Sequence, residues 1–403
     1  MKLGVNVFGY VNAESGVGEH TRLLVRTLRL AGIPYSVIPF DKTLSRQEAG
    51  FSDWGTGQIE FDINIVGVNA DSMAIFVDHF GPEVVKDRYT IGLWAWELDR
   101  FPRWMAKSAR FVDEVWANST FSARSIASEV FCPVLPFPLP IAKPSCEPMS
   151  RSELGLPEGF LFMFCFDFDS IFRRKNPTAV IDAFCEAFDP GEGPQLFVKA
   201  INGDRHPEHL EAVETASWQH PDITFVNRYS TQDEQKALIN SCDAYVSLHR
   251  SEGFGLTLAE AMVLGKPVIA TGYSGNLDFM TPFNSYLVSW RPTRIGNGCD
   301  PYPAEWSWAE PDTGHAARLM REVVDHPEEV RRRTQRALED IDREHSEVAR
   351  SNFVAQRVER IREHLDRTRA ADALVGSETL DLSLLQDRLA RGRPVYLLHA
   401  GSA

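Results

Sequence analysis

Two glutamates eight positions apart, Glu252 and Glu260, stand in the string SEGFGLTLAEAMVLGKPVIAT, from Ser251 to Thr271. On one unbroken helix that spacing would set them about 80° apart around the axis. The string does not read as one helix. Gly253 and Gly255 put two residues without a Cβ into its opening loop, where backbone can approach a ligand closely. A helix is expected from near Thr257, with Leu258, Ala261 and Met262 on its apolar face and Gly265 as its stop. The free amides of its first turn, with the Thr257 hydroxyl, form a receptor for a phosphate group. Glu252 then sits in the loop and Glu260 in the first helical turns, so the carboxylates can face one ligand from different sides. The plain alternative is a surface loop before a buried helix, with Glu260 as a capping residue.

A second cluster is cationic. Arg173, Arg174 and Lys175 occur in Phe172-Arg-Arg-Lys-Asn-Pro177, between a strand end and a helix start. Cations at a helix N-terminus oppose its positive end, and an anion bound there would remove the conflict; a solvated basic turn is the alternative. A third signal is Gly16-Val17-Gly18, between the first strand and the first helix. A dinucleotide-binding oxidoreductase could show such a pair, but Thr21 takes the place of the third glycine of G-x-G-x-x-G. Glu19 and His20 read as helix-start residues. Three further places follow strands: His79 in VDHFG, Trp96 and Glu97 in LWAWE, and Arg228 and Tyr229 after Asn227. Glu97 can bond a ligand hydroxyl, and Trp94 and Trp96 can stack on a ligand face or belong to a core. Gly275-Asn276, after the strand that follows the motif, could line a cleft.

Positioning these groups takes two alternating α/β halves. Leu3 to Phe8, Ser36 to Pro39, Phe61 to Val66, Ala74 to Val77, Thr90 to Leu93 and Glu114 to Ala117 read as strands, with helices over 21–30, 106–112 and 122–130. The proline-rich passage 133–148 reads as an extended interdomain connector. Alternation then resumes with strands at 160–166, 196–200, 223–226, 244–248 and 267–270 and a helix at 177–188. Apolar strands alternating with helices imply parallel sheets covered on both faces. From Ala316 to Arg367 the chain is polar and helical, and Arg331-Arg332-Arg333 reads as a solvated helix face. The segment after Arg369 reads as a tail or docking arm.

Composition excludes several classes. The 403 residues suffice for two domains at roughly 150 residues each, and 43% hydrophobic with 24% charged residues is ordinary for a globular protein. No apolar run approaches the ~20 residues of a membrane span, and no signal peptide stands at the N-terminus, so the cytoplasm is the expected compartment, with peripheral contact at the inner membrane face left open. The net charge of −14 argues against nucleic acid as a partner. Six cysteines (Cys132, Cys146, Cys165, Cys185, Cys242 and Cys299) show no CxxC pair and read as reduced thiols.

The Ser251–Thr271 string resembles the E-x7-E region of the retaining glycosyltransferases of family 4. The resemblance implies the GT-B fold over about residues 1–365: two Rossmann-like, doubly wound α/β domains facing a central cleft, with C-terminal helices packing back on the N-terminal domain. The expected division is an acceptor-binding domain over 1–145, a nucleotide-sugar-binding domain over 146–345, and C-terminal helices and tail over 346–403. By the same resemblance Glu252 lies near the donor sugar and Glu260 holds the ribose hydroxyls. Gly253, Phe254, Gly255, Leu256 and Thr257 contact sugar and diphosphate, and Gly16 and Gly18 face the cleft. Lys175 matches the family's diphosphate lysine. The usual Gly-Arg is Phe166-Asp167 here, which makes Arg174 the candidate for the arginine's duty. Many relatives carry a histidine where Trp96 and Glu97 stand. Arg228 and Tyr229 lie near where relatives hold the base, and His79, Trp96 and Glu97 are the acceptor candidates. The implied activity moves a sugar from a nucleotide-diphosphate sugar to a saccharide or glycoconjugate hydroxyl, with retention, no cofactor and no metal requirement, in polysaccharide or glycoconjugate assembly. Rival readings are a same-fold disaccharide synthase or phosphorylase, a binding protein that has lost catalysis, and a nicotinamide-dependent oxidoreductase.

Overall fold

A computed structural model describes residues 4–143 and 149–376. Cys146 and the tail beyond Gly376 lie outside the described residues, as does Leu3, the expected first residue of the first strand. Among the described residues, those up to Ala355 form one compact unit, and those from Gln356 belong to another.

The first unit holds two six-stranded parallel sheets. The N-terminal sheet contains β1 (Val5–Gly9), β2 (Tyr35–Pro39), β3 (Ile63–Gly67), β4 (Tyr89–Trp94), β5 (Glu114–Ala117) and β6 (Val134–Pro136), in the order β2-β1-β3-β4-β5-β6. All five residues of β1 and of β3 are buried, as expected of strands with both faces covered. The second sheet contains β7 (Leu161–Asp167), β8 (Gln195–Ile201), β9 (Ile223–Asn227), β10 (Ala244–Ser247), β11 (Val268–Thr271) and β12 (Tyr286–Val288), in the order β12-β11-β10-β7-β8-β9. Strand order reverses between β1 and β3 in the first sheet and between β7 and β10 in the second. Loops at the carboxyl ends of such strands open into a crevice, the place where doubly wound sheets hold ligands.

Three sequence expectations change. Ala74–Val77, expected as a strand, belongs to the helix Met73–Phe80, because Met73, Phe76, Val77 and Phe80 recur at helical spacing and pack on the core from one side. The proline-rich connector begins as β6, which among the described residues pairs only with β5; an edge strand is where a sheet tolerates proline. A hairpin of β13 (Trp290–Arg294) and β14 (Ser307–Pro311), absent from the sequence reading, stands between β12 and the helix Thr313–Asp325.

Helices Pro327–His345 and Glu347–Gly376 follow. The opening turns of the last one return to the N-terminal sheet, where the Phe353 ring lies 5.5 Å from Trp116 and 5.4 Å from Phe137. Arg331 and Arg332 pair with Glu328 and Glu329 one turn earlier on a solvated ionic face, as expected, whereas Arg333, paired with Glu329, is half-buried and lies 4.4 Å over the Tyr286 ring. Among the described residues no helix is long and apolar enough to cross a membrane, and the five described cysteines are free thiols.

Candidate active site

The loops after β7 and β10 flank the reversal of strand order in the second sheet, and they lock together. Asn176 donates from Nδ2 to the Leu248 carbonyl at 3.0 Å, and the Arg250 amide donates to the Arg174 carbonyl at 2.8 Å. Lys175 Nζ then lies 2.5 Å from Glu252 Oε1, and Arg174 Nη1 lies 3.2 Å from Glu252 Oε2 and 2.9 Å from the Ser251 carbonyl. The turn that aims these cations is strained. Ile171, a β-branched residue, sits at φ 62° and ψ 97° with its side chain against the N-terminal core. Such a conformation costs on the order of 1–3 kcal/mol and persists only where the surroundings impose it.

Glu252 is a fixed carboxylate. Burial alone would raise its pKa, but Lys175 and Arg174 outweigh burial and hold it at about 2. Its amide donates to Ser274 Oγ at 2.8 Å, and its carbonyl accepts from the Gly275 amide at 3.0 Å. Gly275 must be glycine: a Cβ there would stand 2.0 Å from the Gly253 carbonyl oxygen. Gly255, at φ 92°, caps the helix Leu256–Val263 without any side-chain hydrogen bond; the Leu258 amide donates to the Gly255 carbonyl at 3.1 Å, and the Leu256 and Thr257 amides make no hydrogen bond among the described residues.

Glu260, on that helix, occupies a different setting from Glu252. Burial pushes its pKa up to about 8 and the Glu19 carboxylate across the cleft adds to the rise, while Lys236 opposes it. Thr257 lies within hydrogen-bond reach of the buried Tyr245 hydroxyl. The Phe254 ring is in the core, 5.0 Å from Phe279, so that residue has only backbone to offer a ligand. Leu256 likewise packs on the core.

Across the cleft, Gly16 and Gly18 open the helix Gly16–Leu30, and Ser15 accepts from the Gly18 amide at 3.2 Å. The two glycines differ in kind. A Cβ at Gly18 would stand 2.5 Å from the Ala13 carbonyl oxygen, so packing demands glycine there, whereas a Cβ at Gly16 would meet open space. His20 is buried, with its pKa pushed down to about 3 by desolvation, a neutral helix residue as expected. Tyr229 donates to Asn202 Oδ1 at 2.5 Å, and the Arg46 guanidinium of the first sheet's domain lies 4.3 Å above its ring. Arg228 is paired with Glu234 at 2.5 Å. Asp167, the last residue of β7, accepts from Asn202 Nδ2 at 2.7 Å.

Three expected residues take places of their own. Arg174 is 5% exposed and holds Glu252 and Ser251, so the fold makes it a support for the loop and leaves Lys175 as the cation nearer solvent. Trp96 is 3% exposed, its Nε1 bonded to the Arg100 carbonyl and its ring against Phe101 and Tyr302, which is a core position with no open face. His79 is exposed in the last turn of its helix, beside Phe40 and Phe80. Glu97, by contrast, reaches the site: its carbonyl accepts a hydrogen bond from the Ser251 hydroxyl, and its carboxylate accepts one from Tyr302 at 3.0 Å. Tyr302, Asn202 and Ser274 escaped the sequence reading. None carries a local motif, and only the pairing of distant segments brings them here.

Residues 168–290 match the profile of the family described as glycosyl transferases group 1. No curated protein sequence matches the chain. Among solved structures, the chain resembles sucrose-phosphate synthase from Thermosynechococcus elongatus, with a TM-score of 0.65 at 14% identity, over 90% of this chain and 100% of that one. HepE from Anabaena, solved in complex with UDP and glucose, gives a TM-score of 0.61 at 14% identity, over 89% and 99% of the two chains. A UDP-forming α,α-trehalose-phosphate synthase from Burkholderia xenovorans gives 0.58 at 12%, over 87% and 98%. The chain therefore has the GT-B fold, and its 168–290 segment, which contains Lys175, Glu252 and Glu260, carries the group 1 glycosyltransferase signature.

Proposed function

We propose that this protein is a retaining glycosyltransferase that moves a sugar from a nucleotide-diphosphate sugar to a hydroxyl acceptor in cytoplasmic polysaccharide or glycoconjugate assembly, with no metal. One observation supports this most strongly. Lys175, Glu252 and the uncapped amides after Gly255 converge at the strand-order reversal of the second sheet, inside the segment that matches group 1.

Transfer breaks the bond between the anomeric carbon and a phosphate oxygen, and negative charge grows on the departing diphosphate. Lys175 spends one ammonium hydrogen on Glu252 and keeps two for phosphate oxygens. The amides at the start of Leu256–Val263 and the Thr257 hydroxyl add neutral donors in the same place. The acceptor oxygen bonds to the anomeric carbon on the face the phosphate leaves, and its proton passes to the departing phosphate oxygen. Glu252, held ionised, faces the cation-like sugar, and Arg174 holds it there. Glu260 bonds the ribose hydroxyls; with its pKa near 8 it is protonated at neutral pH and can both donate and accept. Arg228 and Tyr229 border the base, and Gly16 leaves room on the opposite wall.

A disaccharide-phosphate synthase is the second reading, favoured by the likeness to sucrose-phosphate and trehalose-phosphate synthases. Incubation with UDP-, GDP- and ADP-sugars, with and without sugar phosphates and saccharides, tests both. Release of nucleoside diphosphate with a new α-linked product supports transfer, and a phosphorylated disaccharide selects the second reading. No consumption of any nucleotide sugar would contradict both.

A further inference from the structure

The hairpin β13–β14 is built from the second domain's chain but buries its tip in the first domain's core. Ile295, Cys299, Tyr302 and Trp308 are each 6% exposed or less and pack in one cluster with Tyr10, Trp96, Leu98 and Phe101. Its second strand and its connecting segment are tied to the site's own loops. Arg250 pairs with Glu310 at 2.8 Å, its carbonyl accepts from the Ala309 amide at 3.0 Å, and Arg173 donates to the Asn297 carbonyl at 3.3 Å. A segment anchored on both sides of the cleft can hold a side chain at a fixed place between them.

That side chain is Tyr302. Its ring meets Trp96 edge-on at 5.3 Å, and its hydroxyl donates to Glu97 Oε2 at 3.0 Å. Glu97 itself comes from the loop after β4, and its carbonyl is fastened to Ser251, the neighbour of Glu252. The other carboxylate oxygen of Glu97 takes part in no hydrogen bond among the described residues and remains available to a ligand hydroxyl.

We propose that Tyr302 is a positioning residue, which aims the Glu97 carboxylate at a hydroxyl of the transferred sugar beside Glu252. The proposal rests on the nucleotide-sugar reading of the site. Chemically it fits: a carboxylate with one oxygen pinned by a phenol presents the other in a set direction, and a charged acceptor discriminates strongly for a hydroxyl that meets it.

The test compares wild type, Tyr302→Phe, Glu97→Gln and the double variant by calorimetric titration. The probes are UDP, GDP and ADP and their glucose forms, with GDP-mannose. Tyr302→Phe keeps the ring and its packing, so a role in stability alone would leave every affinity unchanged. The expected result is nucleoside diphosphate affinity within about twofold of wild type in all variants. Nucleotide-sugar affinity should fall about tenfold in each single variant and no further in the double. Wild-type nucleotide-sugar affinity in Tyr302→Phe, or losses that multiply in the double variant, would overturn the positioning role. If wild type binds none of the probes, the nucleotide-sugar reading fails first and takes this proposal with it. Tyr302→Leu, read by thermal unfolding, separately reports the packing contribution of the ring.

Discussion

Replacing Lys175 by methionine separates two jobs that the structure gives one ammonium group. The group is 2.5 Å from Glu252, and the two side chains are 19% and 13% exposed, so the pair is largely shielded from water. Breaking a buried pair costs about 3–5 kcal/mol, because the remaining charge is left uncompensated. Arg174 still faces Glu252 from 3.2 Å, which puts the expected loss at the lower end, about 3 kcal/mol. The carboxyl's own titration gives a similar size. Its fall from an ordinary 4.5 to about 2 corresponds to roughly 3 kcal/mol at neutral pH, present above pH 4.5 and lost as pH falls from there toward 2. Urea unfolding at pH 7 and at pH 3 measures this contribution, and Lys175→Met should narrow the gap between the two. The second job is read by titration with the nucleoside diphosphate that wild type binds best, whose affinity should fall at least about tenfold for a lost charge-assisted bond. Adding Glu252→Gln removes the stranded carboxylate, so the double variant should regain most of the stability and none of the nucleotide affinity. A single variant as stable as wild type, or a double variant that recovers binding, would refute the division of labour.

Three other outcomes follow from the same geometry. Glu260 has a folded pKa near 8, above its unfolded value, so its ionisation lowers stability as pH rises from about 4.5 through 8, and Glu260→Gln should flatten that limb in denaturant titrations. Nucleotide affinity that depends on a protonated Glu260 should weaken above pH 8 in wild type and lose that dependence in the glutamine variant. Gly275→Ala forces a Cβ onto the Gly253 carbonyl at 2.0 Å; nucleotide affinity should drop about tenfold or more, with circular dichroism retained, and wild-type binding would count against the loop's tight packing.

The parts of the fold that the sequence made legible are local or strictly periodic. Strands such as Leu161–Asp167 and Val268–Thr271 are short apolar runs with turn residues on both sides, and the site string announces itself through Gly253, Gly255 and the helix after them. What stayed hidden depends on partners far along the chain. The hairpin β13–β14 is broken by Pro292, Gly296, Gly298, Pro301 and Pro303, and its burial is supplied by residues near Trp96, some two hundred positions earlier. Met73–Phe80 is a run too apolar and too short for periodicity to separate helix from strand. Arg174 and Lys175 are adjacent and chemically alike in the sequence, yet the strained turn at Ile171 buries one and leaves the other at the pocket's edge. The resemblance pointed both at phosphate, and the charge pattern could not separate them; burial does.

A crystal soaked with the nucleotide sugar that most raises the melting temperature tests the central claim most directly. The account predicts a diphosphate between Lys175 Nζ and the amides following Gly255, the ribose at Glu260 and the sugar between Glu252 and Glu97. Density for the compound at another place, or a diphosphate that leaves Lys175 untouched while Glu260 points away from the ribose, would contradict it.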